Sequence, residues 1–205
     1  MTTSARKTVF FDMGNVLLFF SFARMCQQIG SVLSLPPLVI QGELRDKGLG
    51  NLYEKGGINT LEFHKHFCDL ANKNVSVETL LEAASDIFNP NRAILPLLTE
   101  LKRKGHRLFI LSNTNEAHFS YVRRHYPEML APFDDYILSY QVGSIKPEET
   151  IFRAALKKTD SPTSHCFYTD DIPDFIDAAT RVDIHGMVFT GIDPLMETLK
   201  LRGFL

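Results

Sequence analysis

The stretch Thr8-Val9-Phe10-Phe11-Asp12-Met13-Gly14-Asn15-Val16 decides how this chain is read. Its first four residues are β-branched or aromatic with no polar alternation, the signature of a strand buried on both faces. The run stops at a carboxylate followed by a glycine, which marks a turn. Similar short apolar runs recur at residues 107–111, 136–138, 165–168 and 186–189. Between them lie segments with helical spacing, such as Ile94, Leu97, Leu98 and Leu101 before the stop at Gly105. From about residue 92 onward helix and strand alternate to the end of the chain. That order predicts an α/β fold with a Rossmann-like, three-layer core, a parallel sheet covered by helices on both faces.

The region behind the first strand reads differently. Residues 19–90 hold helix-like pieces at 22–29, 37–46, 60–71 and 77–88 with no strand-like run, punctuated by Gly48, Gly50 and the Gly56-Gly57 pair. Phe63, Phe67 and Leu70 form an apolar stripe opposed by Glu62, Lys65 and Asp69, and Thr60 is the expected N-cap of their helix. The expected division is therefore a core made of residues 1–18 and 91–205, with an all-helical cap subdomain at 19–90 inserted after the first strand. Such a cap would lie over the strand ends.

In a doubly wound sheet, ligands bind outside the carboxyl ends of the strands. The first strand delivers Asp12, Met13, Gly14 and Asn15 there; the second delivers Ser112, Asn113 and Thr114. Gly143-Ser144-Ile145-Lys146-Pro147 follows the third, and the fourth ends in Asp170 and Asp171. Each of these has an ordinary explanation as a turn former, a helix cap or a solvated loop residue. Four successive strands delivering them to one edge is harder to explain that way. Carboxylates at close range need a cation, and hard oxygen ligands with room for waters suit Mg²⁺. Asp12 is then placed to attack phosphorus, while Ser112, Asn113 and the backbone of the Met13–Asn15 turn hold phosphate oxygens and Lys146 offsets the charge.

Composition sets the boundaries. A length of 205 residues exceeds one minimal domain of about 150 and falls short of two. With 22 Lys plus Arg against 24 Asp plus Glu, the net charge is −2 and no basic cluster appears, which argues against nucleic acid or an anionic membrane as partner. The apolar stretch 9–22 is broken by Asp12 and Asn15 before it could span a bilayer. Cys26, Cys68 and Cys166 lie far apart in no metal-ligand spacing, so the reading is a reduced, cytoplasmic protein. A homodimer is left open.

These motifs resemble those of the haloacid dehalogenase superfamily of phosphohydrolases. The superfamily's pattern is an apolar strand ending in Asp, a strand ending in Ser or Thr, a Lys usually before Pro, and an apolar strand ending in acidic residues. Here they read Phe11-Asp12-Met13-Gly14-Asn15, Leu111-Ser112-Asn113-Thr114, Ile145-Lys146-Pro147-Glu148 and Thr169-Asp170-Asp171, in the family's order across nearly the whole chain. The helical insertion resembles the family's C1 cap. Tyr53-Glu54-Lys55-Gly56-Gly57-Ile58 and Gly105-His106-Arg107 are similar to the bacterial branch holding glucose-1-phosphate phosphatases.

The resemblance implies a Mg²⁺-dependent phosphatase of small phosphorylated metabolites, sugar phosphates first, working through an aspartyl-phosphate on Asp12. It implies metal ligation by Asp12, the Gly14 carbonyl, Asp171 and Asp170. An alternative register would promote Asp170 with Asp174. In most phosphatases of this family the residue two after the nucleophile is an Asp that acts as general acid and base; here it is Gly14. Glu43, Asp46 and His64 are the cap residues considered as replacements. The alternatives are a metal-free haloacid dehalogenase, or a catalytically weak binding protein that keeps the fold. His118, Tyr121 and His125, on the helix after the second motif, are expected to pack or face water.

Overall fold

The computed structural model describes residues 6–205; residues 1–5, part of the expected first core segment, lie outside them. From β1 (Thr8–Phe11) the chain enters a short strand, β2 (Leu18–Phe20). Five helices follow: α1 (Phe22–Leu33), α2 (Pro37–Gln41, continued by a π-helical turn over Gly42–Asp46), α3 (Leu49–Glu54), α4 (Thr60–Ala71) and α5 (Val77–Ser85). The chain returns through β3 (Phe88–Pro90), and then α6 (Leu95–Arg103), β4 (Arg107–Ser112), α7 (Glu116–His125), α8 (Pro127–Leu130) and β5 (Asp135–Leu138) succeed one another. The last part holds α9 (Ser139–Val142), α10 (Glu149–Lys158), β6 (Cys166–Asp170), α11 (Pro173–Thr180), β7 (His185–Val188) and α12 (Ile192–Leu201).

The main sheet is parallel in the order β5-β4-β1-β6-β7, so β1 is its centre, with β4 on one side and β6 on the other. All four residues of β1 are buried, as the unbroken apolar run predicts. Successive side chains point to opposite faces of a strand. Val9 and Phe11 accordingly join one core, and Phe10 joins another with Phe109, Tyr168 and Ile176 on the far face. The first core runs without a break into the helical segment, where it takes in Ile29, Phe63, Phe67 and Leu80.

Three details differ from the sequence reading. Residues 19–90 are not wholly helical, because β2 and β3 pair antiparallel where the segment leaves and re-enters. A pair of three-residue strands is too short to show a period-2 pattern, and its partners are distant in sequence. The last helix of the segment stops at Ser85 for the same reason. Finally, Asn59 rather than Thr60 caps α4. The Asn59 Oδ1 accepts from the N–H groups of Leu61 (2.9 Å) and Glu62 (3.0 Å), and the Glu62 carboxylate accepts from the Asn59 N–H, which makes a capping box. Phe63 and Phe67 bury the α4 stripe, while Leu70 stays partly exposed.

Candidate active site

Asp12 follows β1 directly, and its N–H donates to the Thr169 carbonyl at 2.9 Å, so the sheet ladder itself fixes its position. Ser112 ends β4 and Asp170 ends β6, the strands flanking β1. The chain leaves β1 for β4 and β5 on one side and crosses back to β6 on the other, so the strand order switches here, the crevice where open α/β sheets bind ligands. Lys146, from the loop between α9 and α10, is almost wholly buried between them. Its Nζ donates to Asp12 Oδ1 (2.6 Å) and Asp170 Oδ2 (2.6 Å), and its third N–H is shared between the Leu111 carbonyl (3.1 Å) and the Tyr168 hydroxyl oxygen (3.1 Å). Burial works against its charge, but the two carboxylates outweigh burial and hold its pKa above the ordinary value.

Burial pushes the Asp12 carboxyl up to about 7, with Lys146 pulling it down and Asp170 pushing it up. Asp170 is wholly buried; its oxygens also accept from the Tyr168 hydroxyl and from the Ile172 N–H (2.9 Å). Asp171 is more open and accepts from the Asn15 side chain at 2.9 Å. One carboxylate oxygen from each of Asp12, Asp170 and Asp171 lies within 4.8 Å of the others. Asp174 is exposed on α11 and outside this group. Three carboxylates facing one ammonium leave an excess of negative charge, and an all-oxygen set of this span fits a divalent cation such as Mg²⁺.

The Met13–Leu18 turn is tightly bonded. Leu17 and Leu18 donate to the Met13 carbonyl, and Asn15, left-handed at φ 53°, donates to Leu18 at 2.8 Å. The Asn15 N–H expected to face phosphate is therefore engaged within the turn. Gly14, bracketed by these bonds, takes part in none of them. Asn113 is likewise engaged: its amide donates to the Lys146 carbonyl (3.0 Å) and accepts from the Lys146 N–H (2.7 Å), clamping the lysine loop to the end of β4. Ser112 is buried with its hydroxyl on the Asn113 carbonyl at 3.3 Å.

Above these groups, between the helical segment and the sheet, lies a cavity of ≈ 240 Å³ reached by Gly14, Ser112 and Asn113 from below. Its upper walls are largely apolar, with Phe20, Phe22, Met25, Leu44, Phe63 and Phe88, and the polar side chains among them include Arg45, Asn51, Glu54 and His118. Arg45 lies over the Phe22 ring at 3.8 Å. His118 is half-buried, and desolvation lowers its pKa to about 4; its ring nitrogens sit against the Ala84 carbonyl (3.2 Å) and the Asn115 amide (3.2 Å). Tyr121 donates to Asp86 at 2.9 Å and stacks on His125, so both serve packing.

The expected cap proton donors do not reach the cavity. Glu43 is buried in contacts to Lys47 (2.6 Å) and His66 (2.9 Å), which hold its pKa below the usual carboxylate range. His64 Nε2 lies 2.8 Å from the Val75 carbonyl, and Asp46 is exposed. Two residues went unread in the sequence. Tyr168 sits in a strand whose apolar run looked like plain core, and Glu54 stood inside a quoted motif with nothing to single it out.

A family model for haloacid dehalogenase-like hydrolases matches residues 6–183. The chain belongs to that family. It is 27% identical over 173 residues to a D-ribitol-5-phosphate phosphatase of Bacteroides thetaiotaomicron, covering 80% of this chain and 82% of the relative. It is 24% identical to the sesquiterpene phosphatase astK of Aspergillus oryzae, over 96% of this chain and 95% of the relative. Among solved structures, a HAD family enzyme of B. thetaiotaomicron in complex with magnesium and inorganic phosphate superposes with a TM-score of 0.80 at 24% identity, covering 90% of this chain and 94% of the other.

Proposed function

We propose that this protein is a Mg²⁺-dependent phosphatase of small phosphorylated metabolites, acting through an aspartyl-phosphate on Asp12. The observation that carries the reading is the meeting of Asp12, Asp170 and Asp171 with the buried Lys146 beneath a cavity, at the centre of a parallel sheet. Asp12, Asp170, Asp171 and the Gly14 carbonyl would hold the metal, which when bound neutralises phosphate oxygens so that an anionic nucleophile can approach. Lys146 holds Asp12 by Oδ1, which leaves Oδ2 on the Gly14 side as the attacking atom. Ser112 and backbone N–H groups at positions 13, 14 and 113 take the phosphate oxygens. In this reading residues 19–90 are a cap that excludes water from the reacting atoms.

Sugar phosphates are the expected substrates, in line with the ribitol-phosphate relative. A second reading, a phosphate monoester of an apolar alcohol, is favoured by the aromatic and aliphatic cavity wall, which offers few partners to a polyol, and by the name of the sesquiterpene phosphatase. The test is phosphate release from a panel spanning pentitol, hexose, aryl and prenyl phosphates, with and without Mg²⁺, and with Asp12→Asn as the blank. Turnover that needs both Mg²⁺ and Asp12 supports the reading. Activity indifferent to chelation removes it in favour of metal-free dehalogenase chemistry, and no activity on any member favours a binding protein.

A further inference from the structure

We propose that Glu54 is the proton donor and acceptor of this site, supplying through the cap-side end of α3 what Gly14 cannot; the proposal rests on the phosphatase reading above. Glu54 lines the same cavity as Gly14, Ser112 and Asn113, so it borders the space that the phosphate-binding groups also reach. A Cβ built at Gly14 would stand 3.6 Å from Asp12 Oδ2, which places that side of the cavity beside the nucleophile.

The backbone around Glu54 is anchored to the sheet side as well as within the helical segment. The Ser139 hydroxyl, which accepts from the Thr114 N–H, donates to the Glu54 carbonyl at 2.6 Å. Next along the chain, Lys55 pairs with Glu148 at 2.7 Å, two residues from Lys146. Gly56, at φ +72°, packs so tightly that a Cβ would stand 2.4 Å from the Tyr140 carbonyl oxygen. These contacts tie the carboxyl to the loops that carry Ser112 and Lys146.

The side chain itself is uncommitted. Among the described residues the Glu54 carboxyl has no hydrogen-bond or ion-pair partner, although it stands among apolar walls. Burial pushes it up to about 7, with Lys146 pulling the other way. A carboxyl titrating there serves in both protonation states near neutral pH. Arg45, His118 and Tyr53, whose burial-raised hydroxyl is bonded to Thr60 at 2.8 Å, are the other titratable groups on the cavity wall, and Glu116 and the Lys55–Glu148 pair lie on the elements behind it. His118 is bonded on both ring nitrogens, and the Arg45 guanidinium holds its proton, so neither competes for the role.

The step balances as follows. Asp12 Oδ2 forms a bond to phosphorus as the ester P–O bond breaks, and the Glu54 carboxyl gives its proton to the departing alkoxide, leaving alcohol, aspartyl-phosphate and the Glu54 carboxylate. A water oxygen then bonds to phosphorus as the Asp12–P bond breaks. Its proton goes to Glu54, and phosphate is released with both carboxyls restored.

The experiment compares wild type with Glu54→Gln on an alkyl or sugar phosphate and on 2,4-dinitrophenyl phosphate, whose leaving group needs no proton. We expect kcat/KM on the former to fall by about 10²–10⁴-fold and on the latter by less than about threefold. The alkaline limb of the wild-type kcat/KM profile disappears in the variant, and acid quench traps phosphorylated Asp12. Gly14→Asp in the Glu54→Gln background restores alkyl-phosphate turnover; the Phe20 ring edge, 3.2 Å from the new Cβ, is exposed enough to move. Equal loss on both substrates with no trapped phosphoprotein, or no loss on either, overturns the proposal while leaving the phosphatase reading standing. A wild-type protein with no Mg²⁺-dependent turnover on any substrate removes both.

Discussion

At the scale of single residues, this site is a balance of buried charge. Lys146 is the only described cation between Asp12 and Asp170, and removing one member of such a group leaves its partners uncompensated. Lys146→Met is expected to lose about 3–5 kcal/mol of unfolding stability in chelator at pH 8. The loss should shrink at pH 5, where protonation of Asp12 relieves part of the uncompensated charge, and should shrink again when Mg²⁺ is added; urea unfolding at the two pH values measures both. Glu54 makes the opposite prediction. Its folded pKa of about 7 lies above the ordinary 4.5, so the folded state binds the proton more tightly and loses stability as pH rises between those values. Glu54→Gln removes that loss. It should equal wild type near pH 4 and be more stable by about 1–3 kcal/mol at pH 8, read from unfolding curves at each pH. A variant that gains stability while losing turnover separates chemistry from folding.

At the scale of elements, the helical segment is held by α5 against α7, where Tyr121 meets Asp86 and Arg124 meets Glu82, and at three further places. The β2–β3 pair closes its neck, and the Ser21 N–H and the Asn91 N–H extend that pairing to Ile87 (3.2 Å) and Leu17 (2.9 Å). The end of α3 is pinned to the sheet side by Ser139 and Glu148. The start of α4 is pinned to α7 by the Thr60 hydroxyl on the Glu116 carboxylate. Gly56 is the most exacting position in this set, since a side chain there meets both a left-handed backbone and the Tyr140 carbonyl. Gly56→Ala should cost more than about 1 kcal/mol in thermal unfolding and lower alkyl-phosphate turnover by displacing Glu54. By contrast, Asn59→Ala removes only the capping box of α4 and should cost about 1 kcal/mol with little change in turnover.

At the scale of the whole molecule, the helical segment does not carry a core of its own. The apolar cluster on one face of the sheet runs from Val9 and Phe11 through Leu18 and Ile29 to Phe63 and Phe67. The helical segment and the sheet should therefore unfold together. Urea transitions followed by far-ultraviolet circular dichroism and by a fluorophore placed on α4 are expected to coincide, and separate midpoints would show two independent units. The same continuity lays the apolar side chains of the segment over the cavity that Gly14 lines. Among the described residues no helix is long and apolar enough to cross a membrane.

The sequence by itself determined the sheet, its strands and the four groups at its edge, because buried strands advertise themselves as short apolar runs and a strand's last residue is fixed in space by the ladder. Asp12, Ser112 and Asp170 were legible for that reason. What only the tertiary structure decided depends on distances between residues remote in the chain. The β2–β3 pairing, the commitment of Asn113 to Lys146, the capture of Glu43 by Lys47 and His66, and the Tyr168 hydroxyl on Asp170 carry no local signal. Glu54 is the sharpest case. As sequence it is one of many acidic residues near a helix end, and only the fold sets it, half-buried, on the largely apolar wall of the cavity that Gly14 lines, where desolvation changes what a carboxyl can do.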